Sequence, residues 1–287
     1  MTIRIDLSAL DPTGEPSPLT AASPAGSPTD PVPVRGVAMH AIRRTEMPPV
    51  LVLGTSGGAG STTTAWGLAS AAATEETTES DPVAVDLTPY GTDLAERGCD
   101  AQAPVATAAT WLSCGRPGLP SAVTACTGVS SAGVRILSRD ATPLPRRESA
   151  LSIGRYLAEA GGLPVYDAGA PVTSRLATPL LSDSRVGLVL VCSARADLVN
   201  RLRPALIRLD DEYGEFLLSR AVVAITEQAP GTGSVAAAHV AGWLGDHIRA
   251  VRVIPFDAHM ATGQRLSWAA LDGATRQSFR LLWGDLQ

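Results

Sequence analysis

Residues 54–63 read Gly-Thr-Ser-Gly-Gly-Ala-Gly-Ser-Thr-Thr, an order suited to one chemistry, the holding of a phosphate. Where a strand turns sharply into a helix, several backbone N–H groups converge on one point, and the positive end of the helix dipole strengthens their field. Glycine suits such a turn because a Cβ would bar the backbone from the ligand. Gly54, Gly57, Gly58 and Gly60 meet that need, and Ala59, Ser61, Thr62 and Thr63 complete the candidate cradle. Thr62 also stands where the hydroxyl of a phosphate loop coordinates magnesium. The cation is missing. Ser61 fills the place of the usual lysine, and all 23 basic residues of the chain are arginine. Neither this chain nor an identical partner can offer a lysine to a phosphate.

Two carboxylates are candidates for the same site. Asp86 and Asp167 each end an apolar run, Pro82–Asp86 and Leu163–Asp167, and with Thr62 they form a candidate magnesium set. The rival reading is strand capping, or pairing with a nearby hydroxyl such as that of Thr62. Among the arginines, Arg175 and Arg195 follow expected strand ends and are candidate substitutes for the lysine, since a guanidinium is a good phosphate partner. The rival reading for both is a solvated loop charge. His40, His239, His247 and His259 share no helical ligand spacing, and Cys99, Cys114, Cys126 and Cys192 include no CxxC pair. Ser61 lacks the nucleophile-elbow context of a serine hydrolase.

From Pro49 onward, apolar runs alternate with helical stretches. Pro49–Thr55, Pro82–Leu87, Gly133–Ser138, Leu163–Gly169, Val186–Ser193, Arg220–Thr226 and Ala250–Asp257 read as strands. The segments between them read as helices, among them residues 61–76, 146–161 and 196–214. The pattern predicts an α/β fold: an open, mostly parallel twisted sheet of about seven strands with helices on both faces. Its functional edge is the carboxyl ends of the strands. Trp66, Trp243, Trp268 and Trp283 fall on expected helices and are expected to pack on the sheet. Residues 1–47 are rich in Pro, Ser, Thr and Gly and read as a disordered tail, since they cannot bury enough apolar surface to offset ordering entropy. Residues 48–287 then form the single folded domain.

The order of these segments resembles the MinD/ParA family of P-loop NTPases. Ser56-Gly57-Gly58-Ala59-Gly60-Ser61-Thr62-Thr63 stands where that family has KGGxGKTT, with serine at both lysine positions. Ser56 takes the place of the signature lysine that reaches across the family's dimer. Asp86 and Pro89-Tyr90-Gly91 follow the layout of the family's DxDPQG segment, and Thr88 replaces its second aspartate, which helps position magnesium and the attacking water. Asp167 matches the aspartate of the Walker B strand. Thr226 stands near the strand end that often carries the adenine-reading asparagine, and Pro255 and Asp257 match a late IPxD segment. The match spans roughly residues 49–285.

The resemblance implies an ATP- or ADP-binding fold with magnesium. The substitutions imply weak nucleotide binding and little hydrolysis, a pseudo-ATPase rather than an enzyme. A lost lysine contact removes about 1.5–3 kcal/mol, or one to two decades of affinity. The reading favoured by the resemblance is a positioning or scaffold subunit of a larger assembly of pilus, secretion or partition type. It would act with protein partners, with a homodimer as one arrangement. Two alternatives stay open: an active ATPase using arginine in place of lysine, and a nucleotide-free interaction module.

The net charge of −5 and the lack of a dense basic tract argue against a backbone-tracking nucleic-acid surface. No stretch reaches the apolar length of a membrane span. The opening residues lack a basic region followed by an apolar run, so a signal peptide is not expected. Cytoplasmic placement is expected, with any membrane recruitment left to a partner. The last helix, with Phe279, Leu282, Trp283 and Leu286 on one side, is expected to cover the sheet rather than anchor in a membrane.

Overall fold

Short apolar runs without internal polar residues become strands covered on both faces, and this chain is built around them. The structure is a computed structural model and describes residues 48–75, 80–88, 93–146 and 148–287. The expected N-terminal tail and the Pro89-Tyr90-Gly91 segment lie outside those residues. The strands are β1 (Val50–Gly54), β2 (Asp81–Asp86), β3 (Gly128–Val129) and β4 (Arg135–Leu137). They continue with β5 (Gly162–Asp167), β6 (Gly187–Ser193), β7 (Val222–Thr226) and β8 (Ala250–Ile254). They form one sheet in the order β3-β4-β2-β5-β1-β6-β7-β8, parallel except for the β3–β4 pair.

The helices are α1 (Ser61–Ala73), α2 (Asp93–Gly98), α3 (Ala108–Leu112), α4 (Pro120–Cys126), α5 (Ser149–Glu159) and α6 (Thr178–Leu181). They are followed by α7 (Ala196–Tyr213), α8 (Glu215–Ser219), α9 (Gly233–Leu244), α10 (Ala258–Ala261) and α11 (Gly273–Gly284). The open α/β sheet is the expected one. The strand not foreseen is β3, two residues long and too short to give a periodic signal.

The alternation of side chains along β1 divides the core in two. Leu51 and Leu53 face the layer that holds Ile153 and Leu157 of α5, Leu202 and Leu206 of α7 and Val240 of α9. Val50 and Val52 face the layer of Trp66 and Leu68 of α1, Leu94 of α2, and Phe279, Leu282 and Trp283 of α11. Thus α11 covers the sheet, as expected. Arg252 of β8 fixes its end by a bidentate bond to Asp285, with Nε–Oδ2 at 2.5 Å and Nη2–Oδ1 at 2.7 Å. Trp66, Trp268 and Trp283 are buried. Trp243 departs from expectation and is 37% exposed. Ala236, Val240 and Leu244 form the sheet-facing side of α9, and Trp243 lies beside that row.

The packing of α1 against α11 depends on one missing side chain. A Cβ on Gly67 would lie 2.4 Å from Cε1 of the buried Phe279. Gly67→Ala should therefore destabilise the protein. Overpacking costs about 1–3 kcal/mol, against at most about 1 kcal/mol returned by the better helix propensity of alanine. The urea midpoint of unfolding should fall, and an unchanged midpoint would mean that Phe279 can swing aside without loss.

Candidate functional site

The loop after β1 emerges at the carboxyl edge where the chain order reverses. From β1, β5 and β2 lie on one side and β6, β7 and β8 on the other, the place where open α/β sheets bind ligands. Gly54 N–H donates to the carbonyl of Gly169 at 2.7 Å, and Thr55 N–H to that of Val191 at 2.9 Å. The root of the loop is thereby pinned to both neighbouring strands. Gly58 and Gly60 have φ of 74° and 93°, conformations that favour glycine. A Cβ on Gly57 or Gly58 would meet nothing within 4 Å, so the loop faces open space there.

Ala59 N–H donates to the carbonyl of Ser56, while the amides of Gly57, Gly58, Gly60, Ser61, Thr62 and Thr63 find no acceptor among the described residues. No side chain caps α1. Unsatisfied amides on a loop and helix start are the donors of an anion cradle. The loop is braced from β7. Thr226 Oγ1 donates to the carbonyl of Ala59 at 2.7 Å, and Gln228 Nε2 to that of Gly58 at 2.5 Å. Thr226, placed by resemblance near an adenine-reading position, thus holds the loop backbone.

Asp86 and Asp167 are paired in register on adjacent strands, and parallel neighbours in register point to the same face. Both are buried. Asp167 Oδ1 accepts the amide of Gly169 at 3.0 Å. Burial pushes the Asp167 carboxyl up to about 7, and the neighbouring Asp86 adds to the rise. The hydroxyls of Thr62 and Ser61 and the Gly169 amide pull it back down. The structure therefore brings Ser61, Thr62, Asp86 and Asp167 together, while among the described residues Asp167 Oδ2 is buried with no hydrogen-bond partner. Asp86 Oδ1 accepts the amide and hydroxyl of Thr88 at 2.9 and 2.7 Å.

These residues fit a phosphate with its magnesium. The free amides would donate to the phosphate, and the Thr62 hydroxyl stands beside a carboxylate that burial has left short of positive charge. When bound, the ion would supply the charge that no lysine supplies. Two positions depart from a hydrolytic site. Ser56 is buried, and among the described residues no hydrogen bond reaches its hydroxyl. Thr88 lies against Gly169, where an added Cβ would stand 3.1 Å from its Cγ2.

The two arginines proposed from the sequence follow β5 and β6 at the carboxyl edge, and among the described residues neither donates a hydrogen bond to the loop. Arg195 is exposed and pairs with Asp197 at 3.1 Å, and Arg175 is exposed, with no ion pair among the described residues. Two others approach the site instead. Arg139, just beyond β4, is 6% exposed and donates through Nη1 to the carbonyls of Leu87, at 3.3 Å, and Thr88. Burial lowers its pKa, and Asp86 opposes the fall. Arg97 of α2 donates through Nη1 to Thr63 Oγ1 at 3.2 Å. Asp257 turns out to be an N-cap: its carboxylate accepts the amides of His259, Met260 and Asp272.

No protein-family model matches the sequence, and no curated protein is detectably similar to it. Solved structures do match. A ParA family ATPase from Chlorobium tepidum TLS covers 83% of this chain over 98% of its own, at 16% identity and a TM-score of 0.64. The apo McdA of Cyanothece covers 84% of this chain over 100% of its own, at 15% identity and a TM-score of 0.60. The chain has the ParA/MinD fold. The septum site-determining protein MinD from Pyrococcus horikoshii OT3, solved with Mg-ADP, covers 83% of this chain over 94% of its own, at 13% identity and a TM-score of 0.55. On this ParA/MinD fold, the loop at 54–63 and the carboxylates at 86 and 167 occupy the carboxyl edge, as the order of motifs implied.

Proposed function

We propose that this chain binds a nucleoside phosphate weakly, hydrolyses it little or not at all, and serves as a positioning or scaffold subunit of a larger protein assembly. One observation carries the reading: the loop keeps its free amides, while serine rather than a cation faces Asp167. The amides and Thr62 retain a hold on a phosphate. Hydrolysis needs placed positive charge and a placed water, and Ser61 and Thr88 stand where those contributions would originate. Adenine nucleotide with magnesium is the expected ligand. Protein partners, a second copy of the chain among them, are the expected setting. Among the described residues no helix is long and apolar enough to cross a membrane.

The test has two parts on the same sample. Calorimetric titration with Mg-ADP and Mg-ATP should show saturable but weak binding, and a phosphate-release assay should show no turnover above the protein-free rate. Absence of binding at millimolar nucleotide would refute the ligand. Steady multiple turnover by the isolated chain would refute the loss of hydrolysis.

A further inference from the structure

Among the described residues, Arg97 is a cation without a counter-ion at the edge of the loop. Its Nη1 donates to Thr63 Oγ1 at 3.2 Å and its Nη2 to the carbonyl of Met260 at 3.3 Å. Its Nε is buried and reaches no acceptor. Among the described residues no carboxylate forms an ion pair with it. By contrast, Arg195 and Arg252 each have an aspartate, and Arg139 lies beside Asp86.

The position of Arg97 is imposed by the core. The next residue, Gly98, sits so tightly that a Cβ would meet Ile136 at 2.7 Å and Trp66 at 2.9 Å. The carbonyl of Arg97 accepts the amide of Leu266 at 2.6 Å. The guanidinium is thus held against the first turn of α1, the turn whose amides at Ser61, Thr62 and Thr63 are free. A buried donor left unpartnered costs about 1–3 kcal/mol, and a fixed guanidinium suits phosphate oxygens better than any neutral group.

We propose that Arg97 is the cation of this site and binds a phosphate group of the ligand held by the loop. The assignment rests on the nucleoside-phosphate reading above. It places the charge on the α1 flank, beside Thr63, and not at Ser61. It therefore supports binding without restoring the charge and water that hydrolysis needs.

The test is Mg-ADP titrated into the full chain at several KCl concentrations. Arg97→Gln should weaken binding about ten- to a hundredfold, as expected for a lost charge-assisted bond, and should flatten its salt dependence. Arg97→Lys, which keeps the charge and loses the fork, should recover part of the affinity and the full salt slope. Arg220→Gln, at the amino edge of the sheet before β7, should match the wild type. Equal affinity and salt slope for wild type and Arg97→Gln would overturn the assignment and leave nucleotide binding standing. A wild type that takes no ADP would overturn both. If the glutamine variant does not fold, Arg97→Lys decides. Binding weaker than wild type with the wild-type salt slope supports the assignment, and affinity equal to the wild type overturns it.

Discussion

Asp167→Asn should stabilise the metal-free protein above pH 7 and change it little near pH 4. The carboxyl of Asp167 is raised from 3.8 to about 7, chiefly by burial. A raised carboxyl is protonated in the fold while it ionises in the unfolded chain. The stability it contributes is fully present below about pH 4 and is lost as the pH rises through about 7. At about 1.4 kcal/mol per pH unit, the loss is of the order of 4 kcal/mol. Asparagine removes the charge and keeps an oxygen for the Gly169 amide. Urea unfolding in a chelator at pH 4, 6 and 8 should show the wild type falling and the variant nearly level. A variant less stable than wild type at pH 8 would show that some cation already compensates the carboxylate.

Ser61→Lys should tighten Mg-ADP and Mg-ATP about ten- to a hundredfold, the size of a charged phosphate contact. The new ammonium would stand beside Asp167, whose pKa is already influenced by the Ser61 hydroxyl, so the loss of stability between pH 4 and 7 should also shrink. Phosphate release should nevertheless stay near the protein-free rate. Thr88, packed against Gly169 and bonded to Asp86, remains where a carboxylate would position the water. Calorimetry and the release assay separate the two effects. Unchanged affinity would mean that position 61 does not face the ligand, and restored turnover would mean that the lysine alone was limiting.

The main strands were legible because a parallel sheet covered on both faces leaves uninterrupted apolar runs, as in Leu163–Asp167 and Gly187–Ser193. The loop was legible because its glycines are spaced for a turn that only a few residue types permit. The cations were not. An arginine's reach depends on what packs beneath it, and Arg97 is set by Gly98 against Trp66, a contact that no local pattern announces. Arg139 was hidden for a similar reason, since its role appears only once β4 pairs with β2. Arg175 and Arg195 looked suitable because they follow strands, but proximity to a strand end fixes neither direction nor partner. Strand β3 and helices as short as α6 and α8 lie below the length at which periodicity is readable.

The bonds from Thr226 and Gln228 to the carbonyls of Ala59 and Gly58 have a mechanical corollary. Between those two residues, Glu227 accepts the amides of Gly233, which begins α9, and of Phe256, just past β8. A ligand that displaces Gly58 or Ala59 must break these linkages or drag the end of β7 along, and α9 and the β8 terminus follow. A shift of the loop on binding would therefore be carried to the flank opposite Asp86, the side on which a partner would meet the filled cradle.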